Sequence, residues 1–143
     1  MSTPIGDFDR LMEQTFFAGV NANFPGTKIY TPNAKWIEPM NQNWFAFHVL
    51  SGDTFNANIG RQKVERTTVV LHISVYAPVE TFERTAKEMA ETAARWFANK
   101  DFRVDMFQYA NFRAPNIKSS PDPKSGKYRI IATVPGHRDV NVS

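Results

Sequence analysis

Side chains able to do chemistry are few in this 143-residue chain, and they are scattered. The three histidines are His48, His72 and His137. His48 and His72 fall in apolar segments expected to pair as strands, where two imidazoles could share a metal ion. Their faces carry no Asp, Glu or Cys, and a zinc site needs three or four protein ligands. The sequence therefore predicts no metal site, and His137 falls in a polar tail. The carboxylates are equally dispersed: Glu38 and Asp53 in loops, Glu65 at the start of a strand, Asp105 inside one. General acid–base work needs an enclosed site that shifts a pKa, and no such enclosure is encoded. The chain has no cysteine, which removes thiol nucleophiles, thiolate ligands and disulfides together. No serine or threonine lies in a nucleophile elbow. The glycines occur singly, so no phosphate-cradling loop can be built. The expectation is a protein with no catalytic residues and no cofactor.

Two other segments carry character. Arg113, Lys118, Lys124, Lys127 and Arg129 make the most basic stretch, with Asp122 its only acid. Tyr109, Phe112 and Tyr128 flank it, as in a nucleic-acid reader that stacks bases on aromatic rings. Against that, 17 basic and 14 acidic residues give a net charge of only +3 and are mostly intermixed, whereas a duplex binder concentrates its charge on one stripe. A solubilising loop is the plain reading; a mobile basic loop that orders against an acidic partner surface is the one preferred. The second segment, 51–61, is bounded by Gly52 and Gly60 and carries Phe55 and Ile59 among polar residues. It reads as a hairpin connection longer than a turn requires. Its apolar side chains either mark a contact site or fold back on the sheet.

The elements that must position these residues follow from periodicity. Ile5, Phe8, Leu11, Met12, Thr15, Phe16 and 18–20 keep a helical spacing over 5–20, with Gly19 and the Asn21/Asn23/Pro25-Gly26 cluster as the stop. Residues 28–30 make a short edge strand. The stretch 31–43 is irregular, with Trp36 and Ile37 as anchors to the core. Strands are predicted over 44–50, 64–76, 102–112 and 127–134, each by alternation. On 69–75 one face is wholly branched aliphatic. A second helix starts at Pro78, where Phe82, Ala86, Met89, Ala90, Ala93, Trp96 and Phe97 form an amphipathic stripe. Residues 113–127 read as a flexible loop, Pro135-Gly136 as a strand stop, and 137–143 as a polar tail.

The fold class predicted is α+β: a mixed or antiparallel sheet of four to five strands with two helices packed on one face. One domain spans 1–143, a size that buries a core without metal or disulfide staples. No apolar run approaches a membrane span and no secretory pattern opens the chain, so a cytosolic compartment and no membrane partner are expected.

This order of elements resembles the tail terminator (tail-completion) proteins of long-tailed bacteriophages. The likeness rests on the helix 5–20, the Pro-rich approach to Trp44-Phe45-Ala46-Phe47, the glycine-bounded hairpin, the aliphatic strand 67–76, Pro78, the Ala-rich helix 79–98 and two closing strands. It spans about 5–136 and lies in element order and length rather than in single motifs. It implies a homohexameric ring that caps the tail tube, ends tube polymerisation and offers the surface on which the head docks. The partners implied are further copies of the chain, a tail tube protein and a head-completion or neck protein, with DNA passing through the lumen unread. Assembly would take place in the host cytoplasm, and the product would sit at the head-proximal end of the virion tail. A closed ring uses two different patches per subunit. The partner-facing candidates are Asp53, Phe55, Ile59 and Arg61 in the hairpin, and Arg113, Lys118, Lys124 and Lys127 in the loop. Arg66, Thr68, His72 and Ser74, on the less apolar strand face, are candidates for a neighbour or the lumen. Three alternatives remain open: another head–tail joining protein, a ligand-binding or enzymatic α+β domain built around Asp105, and a nucleic-acid module.

Overall fold

The computed structural model describes residues 4–30, 37, 39, 42–58, 63–77, 83–122 and 127–141, and omits the side chains of 4, 5, 83, 120–122, 127 and 128. Helix α1 (Pro4–Asn23) leads to strands β1 (Ile29–Tyr30), β2 (Trp44–Asn56) and β3 (Val64–Ala77), then helix α2 (Glu83–Arg95), and finally β4 (Asp101–Arg103), β5 (Gln108–Phe112), β6 (Asn116–Asp122) and β7 (Lys127–Asn141). They form one seven-stranded sheet in the order β1-β2-β3-β7-β5-β4, with β6 pairing β7 beside β5. All pairings are antiparallel except β1 with β2. The class is the predicted α+β; the sheet is wider than the four to five strands expected.

The extra strands have particular causes. The loop expected over 113–127 supplies β6, whose residues pair with the first half of β7; its Pro121 lies on an edge strand, where a missing N–H is tolerated. Pro135-Gly136 does not stop β7, because Gly136 is the residue on which β5 closes. A Cβ at Gly136 would strike the carbonyl oxygen of Asn111 and the ring of Phe112. The polar tail is therefore strand as far as Asn141. The strand expected over 102–112 is folded into the β4–β5 hairpin, with a turn at 105–107. Strand β2 runs through the expected hairpin connection to Asn56, with a register shift between Ser51 and Thr54 that absorbs Gly52 and Asp53.

Both helices bury their apolar stripes on one sheet face. Phe8, Met12, Phe16 and Val20 recur every fourth residue along α1 and are completely enclosed or nearly so. They join Ala86, Met89, Ala90, Ala93 and Ala94 of α2 in a single cluster with Leu71, Ile73, Val75, Ile130, Ala132, Val134 and Phe112. Gly19 is no helix stop: a Cβ there would come within 2.6 Å of the Trp96 ring, so it lets the two helices touch. The helix ends instead at Asn23, whose side-chain amide donates to the Gly19 carbonyl at 2.9 Å, and the chain then turns at Gly26 with φ of 84°. Ile37, expected as a core anchor, is 72% exposed. The expected anchor Trp36, the helix start at Pro78 and its Phe82 lie outside the described residues.

Candidate subunit-docking surface

The sheet face turned away from the helices holds the polar and charged side chains, arranged in rows set by strand register. One row runs Phe55–Arg66–Asp139–Tyr109–Arg103 across β2, β3, β7, β5 and β4. The next runs Thr68–His137–Asn111–Asp101. Beyond it lie Leu50–Val70–Pro135, then His48–His72–Thr133–Asn116, and then Ala46–Ser74–Ile131–Lys118. At the far end Trp44 stacks on Tyr76 with ring centroids 4.1 Å apart, and the Arg129 guanidinium lies 5.4 Å over the Tyr76 ring. Arg129 also reaches the Ser74 hydroxyl at 3.2 Å.

Asp139 is the electrostatic centre of the first row. Its carboxylate is completely buried and accepts two bonds from Arg66, at 2.8 and 2.9 Å. Burial alone would raise its pKa; the hydrogen bonds from Arg66 and Tyr109 prevail and hold it below the usual carboxylate value. His137 Nε2 lies 3.8 Å from the same carboxylate, yet burial leaves that imidazole with a lowered pKa. His72 is lowered too, first by burial and then by Arg129 and His48. On the helix side of β7, Arg138 is enclosed beside the Phe8 ring, 5.8 Å from its centroid, with Nη2 3.3 Å from the Thr67 hydroxyl. Burial lowers its pKa, opposed by Asp9 and Glu65.

The register brings several sequence candidates together. Phe55, Arg66 and Arg113 line one groove of about 220 Å³ with Thr68, Val70, Pro135 and His137. Asp53 borders it, its carbonyl accepting from the Thr68 hydroxyl at 3.3 Å. His72 and Ser74 lie farther along the same face, and Ser74 is fully buried with its hydroxyl accepting from Arg129. Lys118 is exposed at the β6 edge. Ile59, Arg61 and Lys124 lie outside the described residues, as does the side chain of Lys127, which opens β7.

Asp105, expected as a strand-interior carboxylate, is an exposed turn residue whose Oδ1 accepts the Phe107 N–H at 2.8 Å. The buried carboxylate is Asp139, which the sequence placed in a polar tail. Its signal was the alternation of His137 and Asp139 with Arg138 and Val140 beyond Gly136. Among the described residues no three His, Asp or Glu side chains converge as a metal site would require. The rings of His48 and His72 face each other with centroids 6.5 Å apart.

The described residues form a seven-stranded sheet backed by two helices, with a polar open face. The family described as phage tail terminator protein matches residues 9–134. The chain belongs to that family. As a tail terminator protein it has a structural role in building the phage tail, and the sequence resemblance is borne out at the level of family. The fold recurs in solved structures of low identity. One, a protein with no descriptive name, aligns with a TM-score of 0.65 at 17% identity over 96% of this chain and 95% of its own. Another, titled virion of native gene transfer agent particle, gives 0.57 at 15% identity over 92% of each chain. No curated protein matches the sequence. No helix among the described residues of the terminator is long and apolar enough to cross a membrane.

Proposed function

We propose that this terminator protein closes into a ring, a homohexamer, that caps the finished tail tube, ends its polymerisation and presents the surface to which the head attaches. The family match over 9–134 carries the reading. The fold supports it physically. An open sheet face with apolar and charged rows offers area for a neighbour, and Asp139, the one fully buried carboxylate among the described residues, is held by Arg66. Its partners are copies of itself, the tail tube protein and a neck protein, with DNA passing through the lumen. Asp53, Phe55, Arg66, His72, Arg113 and Lys118 are the described residues assigned to these contacts, with Ile59, Arg61, Lys124 and Lys127 beside them in sequence. Assembly takes place in the host cytoplasm.

Two measurements test this. Light scattering on the purified chain gives six times the 16.3 kDa subunit mass if the hexamer is right. Electron micrographs of particles made without the protein then show tubes of uncontrolled length and heads that stay detached. Tubes of normal length carrying heads would overturn the proposal.

A further inference from the structure

Two apolar surfaces stand exposed among the described residues, one at the end of the β4–β5 hairpin and one over the middle of the open sheet face. At the hairpin end is the β4–β5 turn, where Met106 is 80% and Phe107 58% exposed. This turn is held in shape: Asp105 accepts the Phe107 N–H, Arg103 reaches the Met106 carbonyl at 3.4 Å, and the Phe107 carbonyl accepts from the Asn141 N–H at 2.7 Å. Over the middle of the open face, on β3 and β7, is the groove of about 220 Å³ floored by Val70 and Pro135, with Phe55 and Arg113 at its rim. Leu50, also exposed, continues its apolar floor in the Leu50–Val70–Pro135 row. Strands β3 and β7 lie between Phe55 and Phe107 of the turn, roughly 15 Å at the usual strand spacing. A turn fixed to its own sheet cannot fill its own groove at that distance.

We propose that copies of this chain associate side by side, the Met106–Phe107 turn of one seated in the Phe55–Val70–Pro135–Arg113 groove of the next. This rests on the ring reading and names the two patches that such a ring would join. Charge complementarity supports a second copy as the occupant. The turn carries the exposed Asp105, and Arg113 lines the groove, so the two can meet with opposite signs. Met and Phe are the side chains to be expected at the centre of a protein interface. Because turn and groove differ, the contact is heterologous: every subunit that accepts a neighbour leaves its own turn free for another, and repetition closes into a ring when the rotation allows.

The test uses two full-length variants. The turn variant is Met106→Asp with Phe107→Ser; the groove variant is Phe55→Asp with Arg113→Glu. All four side chains are exposed, and circular dichroism confirms folding before assembly is measured. Should either fail to fold, Met106→Ala with Phe107→Ala, and Phe55→Ala with Arg113→Ala, take their place. Each variant alone is expected to be monomeric by light scattering at concentrations where the unaltered protein is fully assembled, its association weakened at least tenfold. Mixed one to one, the two should form dimers and nothing larger, since one intact groove meets one intact turn. If the unaltered protein assembles and either variant assembles equally well, or the mixture stays monomeric, the turn-in-groove contact is wrong while the ring survives. An unaltered protein that is monomeric at every concentration removes both.

Discussion

Arg66 holds the enclosed carboxylate of Asp139 through two parallel hydrogen bonds, and the two residues sit directly opposite each other on β3 and β7. The pair is asymmetric: the Arg66 side chain is 31% exposed while Asp139 has no contact with solvent. Removing the arginine leaves a buried charge with only the Tyr109 hydrogen bond and a distant imidazole. Removing the charge from the aspartate leaves a guanidinium that reaches water. Arg66→Ala is therefore expected to destabilise the fold by about 2–4 kcal/mol, and Asp139→Asn by about 1–2 kcal/mol. Urea titrations of the two variants measure the order, and a larger loss for Asp139→Asn would contradict the asymmetry.

That pair also marks where sequence reading failed. The core was legible because Phe8, Met12, Phe16 and Val20 keep one helical stripe, and because Val69, Leu71, Ile73 and Val75 make one strand face wholly aliphatic. The α2 stripe was legible for the same reason. What the pattern did not show was strand continuity through Pro135-Gly136, since a proline and a glycine break strands by local propensity. Here Gly136 is required by a neighbour, Asn111 of β5, and that neighbour is 25 residues away in sequence. Segment 116–122 has the composition of a loop, because its Ser, Lys and Pro content lacks apolar alternation; pairing with β7 organises it. Of the docking candidates, Phe55 and Arg113 were found by composition alone. That they share one groove with Val70 and Pro135 follows only from register.

The glycine in β7 gives a direct measure of that continuity. In Gly136→Ala the new methyl meets the Asn111 carbonyl oxygen and, at 2.6 Å, the Phe112 ring, in a strand pair that cannot separate without breaking its ladder. Overpacking of this kind costs about 1–3 kcal/mol, and a backbone neighbour puts it at the upper end. Thermal unfolding checks it. An unchanged melting temperature would mean that β5 does not close on Gly136.

Gly19 makes a subtler prediction because two effects oppose. Alanine in a helix interior is favoured over glycine by about 1 kcal/mol, but here its methyl would lie 2.6 Å from the Trp96 ring. The steric effect should win, so Gly19→Ala destabilises by about 1 kcal/mol net. With Trp96→Leu in place the ring is gone and the same change should become stabilising. A double-mutant cycle reads that reversal of sign; the same sign in both backgrounds would deny the contact.

Stability should fall in two separate steps as pH is lowered. His72 and His137 both have pKa values depressed by burial, so the folded state favours their neutral forms. Their contribution is complete above the unfolded histidine value of about 6.5 and is lost as pH falls through the lower folded values. Asp139 is depressed below the unfolded aspartate value of about 3.9. Its contribution is complete above that pH and disappears only below it. Asp9 acts in the opposite sense, since burial and then Glu13 raise its pKa and make its charged form unfavourable in the fold. Differences between the protein and its variants cancel that term. His72→Gln together with His137→Gln should flatten the step between pH 7 and 5 and keep an acid step, whereas Asp139→Asn should flatten the acid step and, by removing the carboxylate that raises the His137 pKa, deepen the histidine step. Chemical denaturation at a series of pH values separates the two. If both variants follow the unaltered protein in parallel across the whole range, neither the two imidazoles nor the Arg66-bound carboxylate sets its acid stability.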